Sequence, residues 1–219
     1  MNHYVLNREV CNREEFILQY CANKSVLHLG CADYPYTEEH IKNGTWLHSK
    51  LTKVSKKCIG VDLDKNMVEL LNNQYEVSNV IQGNVEQLNG LDIEKFDVIV
   101  AGEIIEHLNN PGLFLKSARA KLKVGGKLLI TTTNAYCFRR FIRIPFGKES
   151  IHPDHVYYYS HRTLEALAGR FDYKLTESYS YRIVNKNPVV PYLVERLATI
   201  ITPNWGEGIV HVYSAQSGQ

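Results

Sequence analysis

At 219 residues with 44% hydrophobic side chains, the chain is long enough to bury one sizeable core and short for two full domains. A net charge of +2 is too small to favour nucleic acid as a partner, and the locally basic stretches Lys50–Lys57 and Arg139–Lys148 read as solvated surface. Five scattered cysteines with no C-x-x-C pair argue against a zinc ribbon or a disulfide framework and fit a reducing, cytoplasmic setting.

The polar, mixed-charge start Met1–Glu15 is not expected to be a secretory signal, and no apolar run approaches the roughly 20 residues of a membrane span. Short apolar runs then alternate with helical patterns, which predicts α/β units on a largely parallel sheet. A helix is predicted near Arg13–Tyr20, a strand at Val26–Leu29, a helix at Trp46–Val54, a strand at Cys58–Val61 and a helix at Asn66–Asn73. Strands at Asn79–Gln82 and Asp97–Ala101 follow. The helix predicted at Leu113–Leu122 has Asn110 and Pro111 where a cap and a first-turn proline belong, with Gly125-Gly126 beyond its end. After a strand at Lys127–Thr132 comes an aromatic, proline-bearing segment, Asn134–Tyr159, longer than a plain connection and so a candidate functional loop. A helix from Arg162 behind Ser160, strands near Tyr173–Tyr181 and Ile209–Tyr213, and a helix at Tyr192–Ile201 complete the pattern.

The first strand ends in Gly30, and a strand–glycine–helix passage lets backbone N–H groups approach a ligand closely. One glycine decides little by itself. The next strand ends in Asp62, where a carboxylate can grip a ribose diol, although the interval from Gly30 exceeds the about 20 residues of the dinucleotide fingerprint. The surplus falls in Tyr34–Thr45. A nicotinamide dehydrogenase fits poorly, because G-x-G-x-x-G and a Tyr-x-x-x-Lys pair are both absent.

Read in order, "VLHLGCAD", "CIGVDLDKNMVELL", "VIQGNVEQL" and the run from Phe96 to Tyr136 resemble the class I S-adenosylmethionine-dependent methyltransferases over about Lys24 to Ser180. The resemblance implies a single domain over 1–219 with a lid-like insertion at about 134–159. Its expected fold is a Rossmann-like, seven-stranded, mostly parallel sheet with helices on both faces and the last strand antiparallel. It also implies S-adenosyl-L-methionine as cofactor, held by His28, Gly30, Cys31, Ala32, Asp62, Leu63, Asn84, Val85, Gly102 and Glu103. Three positions depart from the family pattern. His28 stands in place of an acid, Ala32 and Tyr34 in place of glycines, and Asn84 in place of an aspartate. His28 either orients the loop by hydrogen bonding or is a satisfied histidine at a strand end, while Asn84 keeps an acceptor oxygen for the adenine amino group.

"GEIIEHL" puts Glu103, Glu106 and His107 just after the fourth strand of this pattern. At helical spacing the three share a face and can converge on one ion. His152 and His155 are further candidate ligands. The pairing is similar to that of quinone-biosynthesis O-methyltransferases and small-RNA terminal 2′-O-methyltransferases, which implies a divalent cation (Mg²⁺, Mn²⁺ or a transition metal) on Glu103, Glu106, His107, His152 and His155. The metal-free alternative has Glu103 lining the cofactor pocket, with Glu106 and His107 finishing a short helix. In that case His155 first, and His107 second, is the general base.

The expected activity is O-methylation of a hydroxyl on a small molecule or glycan by in-line transfer, catalysed through His155, His107 and Glu103, with Ala135–Phe146 as a lid. One alternative is an RNA 3′-terminal 2′-O-methyltransferase with Arg139, Arg140, Arg143 and Lys148 on phosphates. The other is an S-adenosylmethionine-binding module without catalysis, motivated by the lost glycines.

Overall fold

The strand Ser25–Leu29, labelled β2, is buried at every position and forms the hinge of the architecture. Its neighbours are β3 (Lys57–Asp62) on one side and β5 (Phe96–Gly102) on the other, both parallel to it, with Leu27 opposite Ile59 and Ile99. The computed structural model describes residues 10–149, 152–182 and 197–216. Adding β1 (Val10–Cys11), β4 (Val80–Gln82), β6 (Leu122–Thr133), β7 (Tyr173–Tyr181) and β8 (Gly208–Ala215) gives one sheet in the order β1-β7-β8-β6-β5-β2-β3-β4. The last strand, β8, is antiparallel to both β6 and β7, as expected. The sheet has eight strands rather than seven. The additional one is the two-residue edge strand β1, paired to Ser180 and Tyr181, too short for any periodic pattern in the sequence to reveal.

Alternation within the strands sends successive side chains to opposite faces. Leu27, Leu29, Ile99 and Ala101 pack against Phe114 and Leu115 of α5 (Pro111–Ala120) and Leu164 of α7 (His161–Gly169). On the other face Val26, Val98 and Val100 meet Ile17 and Cys21 of α1 (Arg13–Cys21) and Leu51 of α3 (Leu47–Val54). The helices thus cover both faces. Helix starts follow local capping chemistry: Asn12, Asp64, Asn110 and Ser160 each accept from a backbone N–H in the first turn of α1, α4 (Lys65–Gln74), α5 and α7.

Two boundaries differ from the sequence pattern. Helix α5 ends at Ala120, and Leu122 belongs instead to β6, paired with Phe96 ahead of a register shift near Gly125, whose φ is +77°. The surplus after Gly30 contains a short helix, α2 (Thr37–Lys42), which carries too few apolar residues to announce itself. Part of the helix predicted at Tyr192–Ile201 lies outside the described residues; 197–201 are helical. No disulfide joins the cysteines. No helix among the described residues is long and apolar enough to cross a membrane.

Candidate active site

Strand order reverses direction at β2, where β3 and β4 lie to one side and β5 and β6 to the other. In open parallel sheets, ligand crevices form at the carboxyl ends of strands around such a point. Here the crevice is a cavity of about 580 Å³. Gly30, Asp62 and Glu103, the residues at or just past the tips of β2, β3 and β5, all line it.

Asp62 is held by the turn it serves. Its Oδ2 accepts from the Ala32 amide at 2.9 Å and its Oδ1 from the Asp64 amide at 3.1 Å, so the carboxylate is oriented and keeps further lone pairs directed at the cavity. Leu63, Asn84 and Val85 line the same end. Asn84 Oδ1 accepts from the Glu86 amide at 2.9 Å, capping the 3-10 turn Val85–Gly90 with one lone pair left over.

The glycine-poor loop is shaped by anchors rather than by glycines. Gly30 is the exception: its φ is +66°, and a Cβ there would lie 2.3 Å from Ile104 Cγ2. Beyond it, Trp46 Nε1 donates to the Cys31 carbonyl at 2.8 Å and the Thr37 hydroxyl donates to the Ala32 carbonyl. Cys31 lines the cavity, whereas Ala32 is buried behind it and acts through its amide on Asp62. Thr37 of the extra segment Tyr34–Thr45 and Trp46 just beyond it therefore fasten the loop, and Tyr34 and Tyr36 stand at the cavity wall.

His28 lines the cavity, but it faces another side chain rather than the loop backbone. Its Nδ1 faces His48 Nδ1 at 3.3 Å with the rings stacked at 5.5 Å, an arrangement that needs one donor and one acceptor. Burial holds both imidazoles neutral: His48 is lowered to about 4, and His28, first by burial and then by His48, well below the ordinary histidine value.

At the tip of β5 the expected helix is absent. Residues 105–107 form a turn, and Glu103 has φ +54°, so the spacing argument that placed Glu103, Glu106 and His107 on one helical face does not apply. Glu103 lines the cavity next to Gly102, accepts from the Tyr181 hydroxyl at 2.9 Å, and lies 3.7 Å from Arg13 Nε. Arg13, overlooked in the sequence pattern, donates from Nε to Thr131 Oγ1 at 2.9 Å and reaches the cavity from the start of α1. Its one local signal is a cation in the first turn of a helix, where the dipole disfavours it.

Glu106 is fully buried outside the cavity lining, accepting from the Thr132 hydroxyl at 2.8 Å, and its carbonyl takes the amides of Val156 and Tyr157. Burial first, and the nearby Glu103 second, raise its carboxyl to about 8. The folded state thus keeps a proton that the unfolded chain loses above the ordinary Glu value of about 4.3, and wild-type stability falls as pH rises from there to about 8. Glu106→Gln, always neutral, escapes that loss. Urea melts should show the variant more stable than wild type at pH 8, with the advantage gone at pH 4. An equal difference at both pH values would refute the buried protonated acid.

The three histidines do come together. One ligand atom each from His107, His152 and His155 lies within 4.8 Å of the others, and all three line the cavity. His107 Nδ1 faces the Asp154 carbonyl at 3.2 Å, which fixes its tautomer as donor there and frees Nε2. His155 packs edge-on to His107 at 4.5 Å, and its Nδ1 is buried with no partner among the described residues. Desolvation lowers the pKa of both rings, and the mutual repulsion of the cluster adds to it. Of the five ligands expected from the sequence, the structure groups these three; Glu103 faces Arg13 and Tyr181, and Glu106 faces Thr132.

Residues 4–178 match the protein family described as "Methyltransferase domain". A Ubiquinone biosynthesis O-methyltransferase of Coxiella burnetii is 28% identical over 131 residues, 58% of this chain and 51% of the relative, so the chain spans about half the length of that protein. Among solved structures, a chain of the complex between the Haloferax volcanii Trm112 methyltransferase activator and a methyltransferase superposes with TM-score 0.63 at 16% identity, covering 94% and 89% of the two chains. The N-methyltransferase NodS of Bradyrhizobium japonicum, in complex with S-adenosyl-L-homocysteine, gives TM-score 0.54 at 13% identity over 94% and 86%.

Proposed function

The chain belongs to the class I S-adenosylmethionine-dependent methyltransferases, and from that premise we propose that it methylates a hydroxyl oxygen of a small-molecule or glycan acceptor. The observation that carries this reading is that one cavity is lined both by Asp62 with Asn84 and by the neutral histidines. The first pair suits an adenosine; the second suits a hydroxyl that must lose a proton. The relatives named as ubiquinone biosynthesis O-methyltransferases motivate oxygen, rather than nitrogen, as the atom methylated.

S-adenosyl-L-methionine fits the residues present. Asp62 offers oriented carboxylate oxygens to the ribose diol, and Asn84 one acceptor lone pair to the adenine amine. The adjacent opposite charges of Arg13 and Glu103 complement the carboxylate and ammonium of an amino-acid tail. Bound there, the sulfonium supplies an electrophilic methyl. What this chain adds is alignment, exclusion of water by the 152–155 end of the proposed 134–159 lid, and removal of the proton. His155, with His107 the second choice, would take the hydroxyl proton on a ring nitrogen as the acceptor oxygen gained the methyl that the bound cofactor would supply.

The grouping of His107, His152 and His155 favours a second reading of the same end. Three imidazole nitrogens suit a borderline ion such as Zn²⁺ better than Mg²⁺ or Mn²⁺, and such an ion would lower the acceptor pKa. The test is calorimetric titration with S-adenosylmethionine followed by methyl transfer to a panel of hydroxylated acceptors, with and without excess EDTA. Binding with turnover that EDTA leaves unchanged supports His155 as base and excludes the metal; loss of turnover restored by Zn²⁺ selects the metal. Absence of binding heat overturns the proposal in favour of neither enzyme. Transfer only to RNA ends, falling steeply with salt, selects the 2′-O-methyltransferase alternative.

A further inference from the structure

The segment 135–148 (Ala-Tyr-Cys-Phe-Arg-Arg-Phe-Ile-Arg-Ile-Pro-Phe-Gly-Lys) holds four cations and no carboxylate. It folds as α6 (Phe138–Phe141) and a 3-10 turn, Ile144–Phe146. Its inward side is well fastened. Cys137 is buried, the Phe138 ring packs tilted 5.1 Å from Trp205, Arg139 pairs with the buried Glu207 at 2.5 Å, and Arg140 donates to the Asn134 carbonyl at 3.2 Å.

With that side fixed, the outward side is set as well, and it is apolar: Phe146 is 79% exposed, Phe141 68% and Ile144 62%, with Ile142 and Tyr136 beside them in sequence. Arg143 and Lys148 interleave with these residues. A second apolar set, Leu197, Ile200 and Ile201, is exposed on the helical segment 197–201, which leads into the Pro203–Trp205 turn under Phe138. Exposed apolar clusters of this kind mark interaction sites rather than ordinary surface.

We propose that residues 136–148 and 197–201 form a docking face for an anionic lipid bilayer, the apolar side chains entering the acyl boundary and Arg143 and Lys148 meeting the headgroups. The chemistry favours this occupant over the others. Phosphates of RNA would satisfy the cations, but Ile142, Ile144 and Pro145 offer nothing to a base or a phosphate, whereas cations among aliphatic and aromatic side chains are the pattern of an interfacial segment. A second copy would bring like charges together. The face adjoins the histidine end of the cavity: the Arg140 guanidinium lies 5.6 Å over the Tyr158 ring, itself 6.0 Å from His155. The acceptor class that follows is a hydroxylated amphiphile dissolved in the bilayer, an extension that rests on the methyl-transfer reading; docking itself does not.

Co-sedimentation of the full chain, without cofactor, with phosphatidylcholine vesicles and with phosphatidylcholine–phosphatidylglycerol vesicles tests it. Binding is expected to the mixed vesicles and not to the neutral ones. The triple variant Phe141→Ser, Ile144→Ser, Phe146→Ser and the double variant Arg143→Glu, Lys148→Glu should each weaken partition by about tenfold or more. Both should retain wild-type circular dichroism and thermal melts. Failure of the wild type to bind the mixed vesicles, undiminished binding by both folded variants, or displacement from vesicles by a single-stranded RNA oligonucleotide would overturn the proposal.

Discussion

Asp62→Ala is expected to lower affinity for S-adenosylmethionine by at least about 100-fold. Two ribose hydroxyls donating to an ionised carboxylate form charge-assisted hydrogen bonds, each contributing about 1.5–3 kcal/mol, and alanine removes both. The loop suffers as well. The Ala32 amide that now donates to Oδ2 at 2.9 Å loses its acceptor, and Ala32 is buried, so the turn that carries Cys31 keeps only the Gly30 and Cys31 amides on the Val61 carbonyl as its bonds to β3. Asp62→Asn should fall between wild type and alanine. It retains one oxygen, but its new amino group must face a backbone donor, Ala32 N or Asp64 N, or else the ribose. Isothermal titration reads both effects, and a thermal melt separates lost affinity from lost fold. An alanine variant that is folded and binds within threefold of wild type would remove the proposed ribose grip.

His155→Ala is expected to reduce kcat by about 100- to 10,000-fold, the range for loss of a general acid or base, and to leave S-adenosylmethionine affinity unchanged. The residue lines the cavity packed against His107 at 4.5 Å and is not among the residues proposed to hold the adenosine. Its pKa is lowered, first by desolvation and then by His107 and His152, so the wild-type ring is unprotonated through the neutral range. The sign of the pH profile follows: the acid limb of wild-type kcat/KM lies below the ordinary histidine value. His107→Ala, which also removes a neighbour that lowers the His155 pKa, should move that acid limb upward. A role confined to packing would lower stability without moving the limb. A folded His155→Ala variant with kcat within threefold of wild type would eliminate His155 from the proton path.

The elements were legible because their signals are local. The buried run Ser25–Leu29, the Asn110-Pro111 start of α5 and the Ser160 cap of α7 each lie within a few residues, where hydrophobic period and capping chemistry operate. Gly30, Asp62 and Asn84 could also be placed from sequence, since a parallel sheet brings successive strand tips to one edge whatever the loops between them do. The boundary errors have local causes too: nothing in "KVGG" distinguishes a helix end from a strand that bulges at Gly125.

What the side chains at the tip of β5 do was decided elsewhere in the chain. Glu103 is turned by a positive φ toward Tyr181, 78 residues away, and Arg13 reaches its cavity position through Thr131, 118 residues away. Glu106 reads in the sequence as a metal ligand, yet burial against Thr132 and the cost of desolvating a charge make it a protonated structural acid. His28 finds its partner in His48, and the three clustered histidines meet where Val156 and Tyr157 hang from the Glu106 carbonyl and the Asp154 carbonyl faces His107. Sequence alone therefore determined seven strands of the sheet, its switch point and the edge whose tips line the cavity, all set by period and order along the chain. Tertiary structure decided which carboxylates remain charged and which imidazoles face one another, because both depend on burial and on partners that the chain brings together only when it folds.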